Sequence, residues 1–159
     1  MGRDKSRLKL GGRTLLARIR ATANALGPPV RVIRRDAVRR CGPLGGIYTA
    51  LKSTKSLVLL FLACDMPLIT SEILRRALKR LGPRDEAVFA RTADGLGFPF
   101  VLRGGALAMV EARILRREFS LHGLARELKA QELRLPRRQL QNVNTPAELE
   151  RARKFFRKP

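Results

Sequence analysis

Tryptophan is absent from the 159 residues, tyrosine and histidine occur once each, and cysteine twice. With seven phenylalanines as the only other aromatics, the chain is too poor in rings to build a stacking platform for single-stranded nucleic acid. Cys41 and Cys64 make neither a metal-site spacing nor a disulfide framework, so reduced thiols are expected. His122, in Ser-Leu-His-Gly-Leu, reads as a helix-start or surface residue rather than a catalyst. No apolar run approaches the roughly 20 residues that span a bilayer. The opening MGRDKSRLKL is basic but has no apolar core, unlike a secretory signal. A cytoplasmic protein with no membrane partner is the expectation.

Acidic residues are also scarce. Lys and Arg number 34 against 13 Asp and Glu, a net charge of +21. Such a balance attracts polyanions. The basic residues are nevertheless scattered through every predicted helix and loop, with no single tail, and 26 of them are Arg. A preference for Arg codons produces that pattern without a nucleic-acid role, so nucleic acid is not the expected partner.

What is present supports a globular chain. Forty-five percent hydrophobic residues and this length fit one domain over 1–159 with a real core. Gly11-Gly12 makes a turn, and Arg13 to Leu26 reads as a helix with Leu15, Leu16, Ile19, Ala23 and Leu26 on one stripe. Gly27 and Pro28-Pro29 end it, and a short strand over Val30–Ile33 follows. A helix runs from Leu44 to about Ser53, and another from Thr70 or Ser71 to Leu81, with Glu72 in its first turn. Glu86–Arg91 and Phe98–Arg103 read as strands around an Asp94-Gly95 turn, which predicts a hairpin. Helices over Ala106–Phe119 and Leu121–Lys129 and a last strand over Leu133–Leu135 complete the body. Strands alternate with helices for most of the length, which argues α/β with a mainly parallel sheet.

Two stretches carry candidate chemistry. Gly42-Pro43-Leu44-Gly45-Gly46 opens a helix whose free N–H groups suit an anion or polar ligand, while Pro43 at the first helical position also explains a plain turn. Val58 to Ala63 runs without a polar break and reads as a strand buried on both faces. It ends at Cys64-Asp65-Met66-Pro67, and Pro67 stops it. A carboxylate at a strand's carboxyl end lies where open α/β sheets bind ligands, and Mg2+ uses such carboxylates with substrate phosphates. Asp65 as a metal ligand and Asp65 as a cap of the next turn both satisfy the local pattern. Near the end, Thr145, Pro146 and Glu148 form a capping box for a helix to about Arg157.

Four pieces stand in order: Met1-Gly2-Arg3-Asp4-Lys5, Gly42-Pro43-Leu44-Gly45-Gly46-Ile47, Cys64-Asp65-Met66-Pro67 and Asn142-Val143-Asn144-Thr145-Pro146. Together they resemble the molybdenum cofactor guanylyltransferase family of Rossmann-like nucleotidyltransferases. The resemblance implies a three-layer α/β fold with a mainly parallel central sheet. It implies transfer of GMP from GTP to molybdopterin with release of pyrophosphate, Mg2+ neutralising the phosphates. By the same resemblance Lys5 contacts the triphosphate and acts with Asp65 in catalysis. Asp36 contacts the guanine edge or the ribose, and Gly42, Gly45 and Gly46 lie beside the nucleotide. Asp65 binds the metal, and Asn142 and Asn144 serve the metal or the pterin. Docking to molybdoenzyme maturation proteins is a further implied partnership. In the family a strand and a Leu-Ala-Gly-Gly-type loop precede the Met-Gly-x-Asp-Lys motif, whose methionine is Met1 here, so an N-terminally truncated form is expected. The family also has another strand and further chain where Gly27-Pro28-Pro29 joins Leu26 to Val30. A CTP-dependent cytidylyltransferase on the same acceptor, or a non-catalytic binding relative, are the alternatives.

Overall fold

The computed structural model describes residues 8–92 and 95–156. The chain forms two compact units, each assembled from separated stretches. The first comprises residues 1–30, 62–75 and 135–159, and the second 31–61 and 76–134.

In the first unit, Gly11 and Gly12 both take positive φ and fold a two-stranded antiparallel ribbon, β1 (Lys9–Leu10) and β2 (Arg13–Thr14). The predicted helix therefore starts two residues later than its pattern suggests. Thr14 caps α1 (Leu15–Asn24), its hydroxyl accepting from the Ala17 N–H at 3.1 Å. Leu10 and Leu15 pack with Val143 and Ala152, which joins the start of the chain to its closing helix α6 (Pro146–Phe156).

The second unit is built on a four-stranded sheet. In chain order its strands are β3 (Val58–Phe61), β4 (Ala87–Thr92), β5 (Gly95–Arg103) and β6 (Gln131–Arg134). Their spatial order is β3-β5-β4-β6. β5 pairs antiparallel with both β3 and β4, and β4 pairs parallel with β6. Three strands thus run one way and β5 runs against them. The sheet is mixed, and the mainly parallel pairing expected from the alternation of elements is corrected by the tight β4–β5 hairpin, which places β5 between β3 and β4. Its turn residue Asp94 lies outside the described residues. The remaining helices are α2 (Pro43–Lys52), α3 (Ser71–Arg80, which spans the boundary between the units), α4 (Leu107–Leu115) and α5 (Leu121–Glu127).

Phenylalanine organises this core. Phe61 and Phe89 stand directly opposite Phe100 on its two neighbouring strands. The rings stack at 4.8 Å and 4.5 Å between centroids, a cross-strand row of three. Leu44, Ile47 and Leu51 of α2, Val110 of α4 and Leu124 of α5 join the same cluster.

Two sequence expectations are overturned here. Val30–Ile33 forms no strand. The stretch beginning at Leu57 is not a central strand buried on both faces: β3 is four residues long, ends the described sheet order, and leaves Leu57 82% exposed. Among the described strands it pairs on one side only, so apolar composition alone misplaced it. The buried strand segments are Ala87–Ala90 of β4, flanked by β5 and β6, and the stretch 99–102 of β5, flanked by β3 and β4.

Candidate functional site

Each unit holds one group of the residues singled out by sequence. In the second unit, Gly42 begins α2 at φ 52°, ψ −141°, a backbone that favours glycine, and Pro43 follows at the first turn. The exposed loop before it brings Asp36 onto the start of this helix. A Cβ on Gly45 would lie 2.8 Å from Asp36 Oδ2 and 2.8 Å from the Val38 carbonyl oxygen, closer than real side chains approach. A Cβ on Gly46 would meet Asp36 Oδ1 at an ordinary 3.5 Å. Sequence reasoning joined Asp36, Gly45 and Gly46 only through a family resemblance; the structure brings them into contact.

Thr49 fixes that arrangement and was not foreseen. Its hydroxyl accepts from the Ala37 N–H at 2.8 Å and donates to the Gly45 carbonyl at 2.7 Å. One side chain therefore ties the residue after Asp36 to the glycine beneath Asp36. The available signal was the spacing from Gly45 to Thr49, one helical turn. Arg35, Arg39 and Arg40 surround Asp36 in an open cleft of about 400 Å³. Among the described residues none of these arginines forms an ion pair with Asp36. Local positive charge around a carboxylate suits a ligand that carries phosphates and also offers N–H or O–H donors.

In the first unit, the turn at Asp65 meets the segment before α6. The Val143 N–H donates to the Asp65 carbonyl at 2.7 Å, which places Asp65 beside the residue between Asn142 and Asn144. The capping box forms as expected. The Glu148 carboxylate accepts from the Asn144 N–H at 2.7 Å and from the Thr145 N–H at 2.9 Å, and the Glu148 N–H donates to the Thr145 hydroxyl at 3.2 Å. These bonds, the Asn144 N–H first, hold the Glu148 carboxyl below its ordinary pKa. Carboxylate and amide oxygens, the side-chain donors of Asp65, Asn142 and Asn144, are hard donors of the kind Mg2+ accepts alongside water and phosphate. Among the described residues no group of three or more His, Cys, Asp or Glu is gathered to hold a metal. Lys5 lies outside the described residues.

His122 is exposed near the start of α5, its Nδ1 beside Gly95, in keeping with the surface reading. Cys41 is a buried free thiol, and Cys64 is half-buried. Among the described residues no helix is long and apolar enough to cross a membrane.

The model of the MobA-like NTP transferase domain matches residues 1–133 of this chain. The chain belongs to that family. A protein of Opitutus terrae named "Probable molybdenum cofactor guanylyltransferase" is 32% identical, covering 97% of this chain and 89% of its own length. That alignment runs over 183 positions, more than the 159 residues here, so the relative carries residues with no counterpart in this chain. Among solved structures, molybdopterin-guanine dinucleotide biosynthesis protein A from Archaeoglobus fulgidus superposes with a TM-score of 0.73 at 17% identity, over 98% of this chain and 91% of that one. The 2-C-methyl-D-erythritol 4-phosphate cytidylyltransferase of Thermus thermophilus gives 0.73 at 15% identity, over 97% and 94%. The α/β nucleotidyltransferase fold of these MobA-like proteins is thereby shared. The chain is a nucleotidyltransferase of this family.

Proposed function

We propose that this MobA-like chain transfers GMP from GTP to molybdopterin. An acceptor phosphate oxygen attacks the α-phosphorus, the bond to the bridging oxygen of the β,γ-diphosphate breaks, and pyrophosphate leaves. The observation that carries this reading is Asp36 seated against Gly45 at the start of α2, with no arginine pairing it among the described residues. A carboxylate accepts two hydrogen bonds, which matches the N1–H and N2–H edge of guanine or a pair of ribose hydroxyls.

The remaining roles follow the same reading. Gly42 and Gly46 lie beside the nucleotide, Gly45 makes room for the Asp36 carboxylate that contacts it, and Lys5 supplies a compact positive charge to the triphosphate. Asp65 and the amide oxygens of Asn142 or Asn144 are the residues that would hold Mg2+, or in the case of the asparagines the pterin. Mg2+, when bound, neutralises charge on the phosphates. Positioning and electrostatics account for most of the catalysis in such transfers.

The test is an assay of purified protein with molybdopterin, Mg2+ and either GTP or CTP, following the dinucleotide product by chromatography. GTP is expected to support the reaction and Asp65→Asn to abolish it. Preference for CTP would remove the guanylyl assignment, and full activity of Asp65→Asn would remove the metal assignment.

A further inference from the structure

We propose that a cleft in the first unit binds a phosphate group, free or as a monoester. The cleft encloses about 720 Å³, room for a small phosphorylated molecule. Arg13, Arg18, Arg138, Thr70, Ser71 and Gln139 contribute to its polar wall, and among the described residues no Asp or Glu lines it. Asp65, Asn142 and Asn144 do not line it.

In a chain of charge +21, arginines alone would mean little. Here two of the three are held in place. Arg18 donates from Nε to the Leu10 carbonyl at 2.6 Å and from Nη2 to the Gly11 carbonyl at 3.3 Å. The Arg138 guanidinium lies 3.9 Å from the centre of the Phe155 ring. A guanidinium stacked in this way keeps its edge N–H groups for a planar or tetrahedral oxyanion, and its fixed orientation lowers the entropy lost on binding. Arg18 is pulled below its ordinary pKa by burial first and by the charge of Arg13 second. Cations crowded in this way gain from an anion placed between them. The first turn of α3 adds its N-terminal dipole, with Thr70 capping the Ile73 N–H at 3.4 Å.

Gln139 narrows the anion. Its side-chain Oε1 is buried and has no hydrogen-bond partner among the described residues. A buried acceptor of this kind calls for a donor. Inorganic phosphate near neutral pH carries a proton, whereas sulfate and the dianion of a phosphate monoester carry none, so of these only the free ion can donate to such an acceptor.

The experiment is calorimetric titration of the full chain, without Mg2+ and at fixed ionic strength, with inorganic phosphate, glycerol 3-phosphate and sulfate. Saturable binding of one or both phosphates is expected, with sulfate weaker by about tenfold or more. Tighter binding of glycerol 3-phosphate would assign the site to a monoester, and tighter inorganic phosphate to the free ion. Arg138→Gln, or Arg13→Gln should the first variant fold poorly, is expected to weaken phosphate binding about tenfold, the scale of one charge-assisted contact. Arg84→Gln/Arg117→Gln, which removes two exposed arginines of the second unit, is expected to leave it unchanged. Equal loss in that control, equal affinity for sulfate, or no saturable heat would overturn the proposal. Asp65→Asn and Asp36→Asn are expected to retain phosphate binding, so failure of the transferase reading and failure of this site are read separately.

Discussion

The Asp36 carboxylate occupies the space that a side chain on Gly45 would need, with 2.8 Å between Oδ2 and the position of such a Cβ. Gly45 is thus defined by its neighbour rather than by its own backbone angle. The Val38 carbonyl presses on the same point from the backbone and cannot rotate away as a side chain can.

Gly45→Ala is therefore expected to displace the Asp36 loop and to destabilise the protein by about 1–3 kcal/mol, the usual cost of overpacking. Gly46→Ala meets only ordinary contact and is expected to be tolerated. Thermal denaturation of the two variants, together with GTP titration, checks the contrast. Equal behaviour would mean that the loop yields freely.

Thr49 should behave as a positioning residue. Thr49→Val removes both the bond from Ala37 and the bond to Gly45, and Thr49→Ser keeps them. The expected outcome is about 1–2 kcal/mol less stability for Val, with a rise in KM for the nucleotide larger than the change in kcat. Ser is expected to recover both. A Ser variant as impaired as Val would show that methyl packing matters as much as the hydrogen bonds.

Phe100 is the middle ring of the row formed with Phe61 and Phe89. Phe100→Ala is expected to cost about 3–5 kcal/mol in urea denaturation, because it opens a cavity between two remaining rings. A loss under 1 kcal/mol would show that the row collapses onto the space.

Acid should weaken the fold through identifiable carboxylates. Glu127 is held below its ordinary 4.5, first by the hydrogen bond from Arg113 and then by Arg116, and Glu148 by the backbone N–H groups of Asn144 and Thr145. Carboxyls with depressed values in the folded state stabilise fully above the unfolded value and lose that contribution as pH falls through the folded one. The urea midpoint is expected to hold between about pH 7 and pH 5 and to drop below about pH 4.5. Glu127→Gln and Glu148→Gln should each make the drop shallower, and an unchanged slope in both would assign it to other groups.

Helix positions were largely legible from sequence, because their signals are local. The Thr145-Pro146-Glu148 box, the glycines at 42, 45 and 46, and the stripe through Leu15, Ile19 and Ala23 each specify an element within a few residues. Sheet position was not legible. An apolar run at 58–63 gives the same pattern whether a strand has one neighbour or two, and only pairing distinguishes them. The place of β5 between β3 and β4 depends on contacts far apart in sequence. The candidate site divides in the same manner: Asp65 is singled out by a motif and Asp36 by family resemblance, whereas Thr49 and the stacked Arg138 depend on three-dimensional neighbours that no local pattern encodes.

The cluster of Leu10, Leu15, Val143 and Ala152 also sets an order of events during synthesis. Two of its members, Leu10 and Leu15, leave the ribosome more than a hundred residues ahead of Val143 and Ala152. Until α6 emerges, Leu10 and Leu15 lack the partners that bury them, and they are natural targets for a chaperone that binds short apolar stretches. Formation of α6 thus releases Leu10 and Leu15 from such care.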